Sequence, residues 1–198
     1  MERCRLVFCG SGGQGIITAA IILAEAAAIH DGLEAVQSQS YGAAARGGVT
    51  RSDVIISDSE INFPKVVQPN ILVCLTQESF NRFYSILRPG GLMLTDSDLV
   101  APGMRVEARH CQLPMNRAVQ QELGNSVALN LCMLGALVRL RPVVRKESLV
   151  TVMRERFSER YLPMNEKALE LGWSLAEESA PDFNDLHGNT PSLSAPLN

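Results

Sequence analysis

An α/β fold, with a mostly parallel sheet flanked by helices and a helical C-terminal portion, is predicted for this chain by three observations. The first is an opening unit in which a short apolar run, Arg5 to Cys9, meets Gly10-Ser11-Gly12-Gly13-Gln14-Gly15 and then a stretch rich in Ala, Ile and Leu. The second is the repetition of strand-like and helix-like patterns through the middle of the chain. The third is a run of four helical patterns from residue 115 onward. Alternation of this kind implies helices on both faces of the sheet.

The elements follow in order. Gly13 to Ile29 reads as a helix, with no breaker after Gly15, and Leu33 to Val36 reads as a strand. Residues 37–48 are small and polar and are expected to form a loop. Val49 to Ser57 alternates well enough for a half-exposed strand, and Asp58-Ser59 suits a turn. Ile71 to Leu75 is strand-like, Gln77 to Leu87 helical, Pro89-Gly90-Gly91 a turn, and Leu92 to Thr95 strand-like again. A further strand is expected at Arg105 to Ala108. Helices are expected over Met115 to Leu123, Ser126 to Leu140, Lys146 to Phe157 and Met164 to Glu178. Asn125 or Ser126 suits the N-cap of the second, and Pro142 suits its end. Residues 1–178 are read as one domain. Residues 179–198 hold three prolines, no Lys or Arg and few large apolar groups, the composition of a tail or arm.

Composition narrows the function. The chain has 198 residues, 46% hydrophobic, 20% charged and 5% aromatic, with net charge −3. That charge disfavours a nucleic-acid partner. The apolar runs stop short of the ~20 residues of a bilayer span, and no leader pattern opens the chain, so a cytoplasmic protein without a membrane partner is expected. Five cysteines (Cys4, Cys9, Cys74, Cys111 and Cys132) show no paired spacing, which suits reduced, buried thiols rather than a metal or cluster site. Two helical stretches are nearly devoid of polar groups: Gly13 to Ile29 keeps Gln14, Thr18 and Glu25, and Ser126 to Val138 keeps Ser126 and Asn130. Each must be covered on most sides, by its own chain or by another subunit.

Two loops stand out as ligand candidates. Gly10, Ser11, Gly12, Gly13, Gln14 and Gly15 satisfy G-x-G-x-x-G between a strand and a helix, where backbone N–H groups can meet a phosphate. The acidic residue that would hold a ribose hydroxyl about 20 residues on is missing, since the second strand ends Val36-Gln37-Ser38-Gln39 and Glu34 falls too early. An NAD site is therefore poorly supported, and another phosphate-bearing ligand or plain strand–helix packing remain open. The second loop, Ser40 to Gly48, sets Tyr41, Arg46, Gly47 and Gly48 among small residues, with the Arg46 guanidinium suited to phosphate or carboxylate. Both loops are expected on one sheet edge. No nucleophile elbow, Cys–His pair, paired carboxylates or thiamine-type G-D-G…N motif is visible, so no catalytic residue is assigned.

The glycine motif with Thr18-Ala19-Ala20, joined to Ser40-Tyr41-Gly42, Arg46-Gly47-Gly48, Ser52-Asp53-Val54 and Leu87-Arg88-Pro89-Gly90-Gly91, resembles the gamma subunit of 2-oxoacid:ferredoxin oxidoreductases over residues 5 to 140. The resemblance implies a Rossmann-like fold and a place in a complex that converts a 2-oxoacid to an acyl-CoA, with ferredoxin as electron acceptor. The type implied is 2-oxoglutarate or general ketoacid; the equivalent indolepyruvate subunit and a free-standing NAD-type protein are the alternatives. It further implies coenzyme A as co-substrate, with Gly12 to Gly15 near one of its phosphates or at a subunit junction. Tyr41, Arg46, Gly47 and Gly48 would line the neighbouring edge. Thiamine diphosphate, Mg and Fe–S clusters would belong to alpha, beta and ferredoxin-like delta partners, and the isolated chain, inactive alone, could form a homodimer. Ala44 and Asn70 stand where the family commonly has acidic residues.

Overall fold

The computed structural model describes residues 3–41, 48–103 and 107–179. Six strands form one mixed sheet: β1 (Cys4–Ser11), β2 (Glu34–Tyr41), β3 (Val49–Ser57), β4 (Ile71–Cys74), β5 (Leu92–Asp96) and β6 (Arg109–Leu113). Their spatial order is β2-β3-β1-β4-β5-β6. The pairs β1–β4, β4–β5 and β5–β6 are parallel, whereas β3 runs antiparallel to both of its neighbours. The helices are α1 (Ile16–Glu25), α2 (Gln77–Phe83), α3 (Met115–Leu123), α4 (Leu129–Leu140), α5 (Lys146–Arg156) and α6 (Leu162–Glu178).

The expected class is observed, and the antiparallel β3 explains most of the local differences. β3 is inserted between β1 and β2, so Val54, Ile55 and Ile56 are buried rather than half-exposed. β2 continues to Tyr41 instead of stopping at Val36, because its whole length pairs with β3 in register. As an edge strand it tolerates Gln37, Ser38 and Gln39; the Gln37 amide donates to Ser52 Oγ at 2.7 Å, and Ser52 Oγ donates to the Ser38 carbonyl at 3.2 Å. The last described strand lies at Arg109–Leu113, set by the parallel register Leu92↔Arg109, and Glu107 and Ala108 precede it; residues 104–106 lie outside the described residues.

Helix ends differ for local reasons. α1 gives way at Ala26–His30 to a π turn, and α2 stops at Phe83 in a 3-10 turn, Tyr84–Ile86, ahead of Pro89. α4 starts at Leu129 with Ala128 as N-cap, because Asn125 Oδ1 accepts from Val127 N and so holds a turn. Of the expected C-terminal tail, 180–198 lies outside the described residues.

The two faces of the sheet are covered unequally. α1, α3, α4, α5 and α6 all contribute to one large core, with Leu6, Phe8, Val54 and Val73 from the sheet. Among the described residues the second face carries α2, the 3-10 turn, the 58–70 connection and the segment after β5 that holds Leu99 and Val100, over Val7, Cys9, Ile55, Leu72 and Met93. α4 is buried along Leu129 to Val138, so its missing polar face is explained by the chain's own helices. α1 is covered in the same way, apart from the half-buried stripe Ile17, Ile21 and Glu25 that leads to Ile29, which is 65% exposed. No described helix is long and apolar enough to cross a membrane.

His110 on β6 gives a pH prediction. Its Nε2 lies 2.9 Å from Thr95 Oγ1, its ring stacks on Phe80, and burial pushes its pKa below the usual value of 6.5. The unfolded chain then binds a proton that the folded chain resists. Its contribution is fully present above pH 6.5 and is lost as pH falls through 6.5 toward the lower folded value. Urea midpoints should therefore fall below pH 6.5 more steeply for the native chain than for His110→Gln. Parallel pH curves would contradict this.

Candidate functional site

The glycine turn sits where β1 passes into α1, at the edge formed by the carboxyl ends of β1, β2, β4, β5 and β6. Its six residues divide into two groups. Gly10 and Gly15 are glycines of close approach: a Cβ on Gly10 would lie 2.5 Å from Gln14 Oε1, and one on Gly15 would lie 2.5 Å from Asn130 Nδ2. Gly15 also needs its left-handed φ of 69°, and Asn130 of α4 donates to its carbonyl at 3.2 Å. Gly12 and Gly13 are exposed, and a Cβ on either would meet nothing within 4 Å.

Gln14 faces neither open solvent nor an empty cleft. Its Oε1 accepts from Ser11 N at 2.8 Å, and its Nε2 donates to the Leu75 carbonyl at 3.2 Å. The side chain braces the turn from inside and ties it to the end of β4, so Gln14 positions the loop.

The N-terminus of α1 differs from that of α2. Thr76 caps α2 through a reciprocal box with Ser79, at the same sheet edge. α1 begins at Gly15 with no side-chain cap and no acidic residue in its first turn. Its first N–H groups lie at the positive end of the helix dipole without a side-chain cap, and Gly12 and Gly13 precede them with open space around a would-be Cβ.

The strands that flank the second candidate loop meet the same edge by a route the sequence did not suggest. β2 and β3 form a hairpin, with Tyr41 paired to Thr50 and Val49 paired to Ser11. The 42–47 connection therefore starts and ends beside the glycine turn. Gly48 is half-buried at its return, while Arg46 and Gly47 lie outside the described residues. The hairpin also alters the geometry for a dinucleotide. The neighbour of β1 on this side is the antiparallel β3, and the tip of β2, where a ribose-binding acid would stand, is one strand further away.

Asp96, at the end of β5, is a buried polar residue outside both candidate loops. Its buried carboxylate accepts from Asp98 N, Leu99 N and Asn116 N at 2.9, 3.1 and 2.6 Å. Burial outweighs these bonds and raises its pKa above the usual carboxylate value. It caps α3, whose own N-cap is Pro114. An Asp at a strand end before Ser97-Asp98 was the available signal. Below the glycine turn, Cys9 and Cys74 pair in register on β1 and β4. Burial, then the Cys74 contact, pushes the Cys9 thiol far up, and burial raises Cys111 to about 11 and Cys132 to about 12. Cys9, Cys111 and Cys132 are therefore protonated structural thiols, and all five cysteines are buried with no disulfide among them. Among the described residues no group of three or more His, Cys, Asp or Glu could hold a metal ion.

Comparison with known proteins agrees with this architecture. A family model described as pyruvate ferredoxin/flavodoxin oxidoreductase matches residues 5–175. The chain is 42% identical over 171 residues to the 2-oxoglutarate synthase subunit KorC of Methanocaldococcus jannaschii, covering 85% of this chain and 91% of that one. It is 28% identical to the indolepyruvate oxidoreductase subunit IorB of Methanothermobacter thermautotrophicus, covering 86% and 96%. The crystal structure of a keto/oxoacid ferredoxin oxidoreductase gamma subunit from Geobacter sulfurreducens superposes with a TM-score of 0.82 at 38% identity, covering 90% and 98%.

Proposed function

From the premise that this chain belongs to the pyruvate ferredoxin/flavodoxin oxidoreductase family and is a gamma subunit of a 2-oxoacid:ferredoxin oxidoreductase, we propose that its glycine turn holds a phosphate of coenzyme A. The observation that carries this reading is the uncapped start of α1 behind the open Gly12-Gly13 backbone. Gly12 and Gly13 admit the phosphate, Gly15 and the first N–H groups of α1 face it, and Gly10, Ser11 and Gln14 keep the turn in shape. Tyr41, Arg46, Gly47 and Gly48 complete the same edge, with the Arg46 guanidinium as the counter-charge. The chain contributes binding and orientation; the bond-making steps belong to other subunits.

The identity to the KorC subunit supports 2-oxoglutarate as the oxoacid of the whole complex, ahead of an indolepyruvate role. Thiamine diphosphate, Mg and the Fe–S clusters are assigned to alpha, beta and ferredoxin-like delta partners. This chain's cysteines are all buried, and among the described residues no group of three or more metal-binding side chains gathers, which does not fit a cluster. Residues 1–178 act as a single domain. A cytoplasmic location is part of the same proposal, in keeping with five cysteines and no disulfide.

Reconstitution tests the reading. The purified chain alone should reduce no viologen dye with 2-oxoglutarate and coenzyme A, and should restore coenzyme A-dependent reduction when added to its partner subunits. Turnover by the lone chain, or full coenzyme A-dependent activity of the partners without it, would refute the proposal. Calorimetric titration of the chain with NAD should give no binding heat, and tight binding would favour the dinucleotide alternative.

A further inference from the structure

The thinly covered second face carries a patch that the coenzyme A reading does not use. The 58–70 connection crosses this face from the end of β3 to the start of β4. It is held at several points: Arg5 N donates to Asn70 Oδ1 at 2.8 Å, Asn70 N donates to the Arg5 carbonyl at 2.7 Å, and Arg51 donates to the Val66 carbonyl at 2.9 Å. Val66 is itself 5% exposed, buried in the core of that face. Yet on either side of it Phe63 and Val67 stand out at 60% and 69% exposure. A connection anchored this firmly presents two large apolar groups to solvent at little ordering cost on binding.

Cations surround them. Arg5, Lys65 and Arg88 line a cavity of about 380 Å³ with Phe63, Val67 and Gln68. A second cavity of about 170 Å³ shares Arg88 and adds Arg109 and Arg141. No carboxylate among the described residues lines either one, although the chain has 21 acidic against 18 basic residues. Apolar anchors inside a charged rim are the anatomy of a protein interface. The net negative charge of the chain sets this patch apart from its surroundings and disfavours a nucleic acid as the partner.

We propose that an acidic surface of another subunit of the same complex docks on this patch, with Phe63 and Val67 as anchors and Arg5, Lys65 and Arg88 as its electrostatic rim. The inference rests on the gamma-subunit reading. The patch faces away from α1 and lies toward the amino ends of β1, β4 and β5, so this docking leaves the glycine turn accessible.

The test is binding of the full chain to its own purified partner subunits, measured by interferometry at two salt concentrations. Lys65→Glu should weaken binding at least tenfold at ~0.1 M NaCl and much less at ~0.5 M, where exposed charges are screened. Phe63→Ser should weaken it about tenfold or more at both. Arg160→Glu, an exposed charge at the start of the last helix, should leave affinity unchanged, and all three variants should melt with the native chain. Native affinity for both patch variants would overturn the inference while leaving the subunit reading intact. So would a homodimer that Phe63→Ser disperses while partner binding persists. Failure of the native chain to bind any partner subunit would sink both.

Discussion

Gly135→Ala is expected to destabilise the chain by about 3 kcal/mol or more, a fall in melting temperature of roughly 10 °C for a domain of this size. Gly135 on α4 and Gly172 on α6 mark the place where the two helices touch backbone to backbone. A Cβ on Gly135 would lie 1.9 Å from the Leu169 carbonyl oxygen, and one on Gly172 would lie 1.7 Å from that of Cys132. A helical carbonyl cannot rotate away as a side chain can. α4 has no room to retreat, because Leu129 to Val138 is buried on all sides. The helices must therefore separate, opening the contacts of Ala168, Leu169 and Ala176, which are at most 1% exposed. Glycine inside a helix costs about 1 kcal/mol relative to alanine, so substitution at an indifferent position would help rather than harm. Thermal melts of Gly135→Ala and Gly172→Ala against Gly103→Ala, whose Cβ meets nothing within 4 Å, measure the difference. A shift below 2 °C in the first two would mean that the helices are not locked at this crossing.

The second large effect concerns coenzyme A. Gly12→Asp in the assembled complex should raise the KM for coenzyme A by tens to about a hundredfold, and Gly12→Asn should raise it far less. Gly12 is exposed, has no positive φ, and leaves open space around a new Cβ, so both variants should fold as the native chain does. They differ only in charge. A carboxylate about 5 Å from a phosphate, at an effective dielectric constant near 20, costs roughly 3 kcal/mol. The comparison separates electrostatics from bulk, and raised salt should narrow it. Equal KM values for the two variants would remove the phosphate from this turn and make it a packing or assembly element.

The elements that proved legible are those governed by local rules. β1, the glycine turn and α1 follow from an apolar run, a breaker cluster and an uninterrupted Ala/Ile/Leu stretch, and α3 fell on Met115–Leu123 as its pattern predicts. β2 was cut short because Gln37 to Tyr41 looks like a loop when read alone; only pairing with β3 makes it a strand. Gln14 could be read as a ligand group or a contact group, and its bonds to Ser11 and Leu75 show a third role. Gly135 and Gly172 carried a usable signal as isolated glycines in helical patterns. Their mutual contact did not, since it depends on how α4 and α6 cross.

The shortage of polar groups in α1 and α4 points to covered helices, and the sequence alone left open what covers them. The fold shows that α4 is sheathed by its own chain and that α1 keeps one half-buried stripe. By itself the sequence determined the α/β class, the glycine turn between β1 and α1 and, through its joined motifs, the family. The tertiary structure alone decided the insertion of β3 between β1 and β2, the unequal covering of the two faces, and the convergence of Gly15 with Asn130, 115 residues apart. The physical reason is one of range. Backbone preferences and side-chain periodicity act over a few residues, whereas strand order and helix crossing are set by whichever long-range arrangement buries the most apolar surface without stranding a polar group.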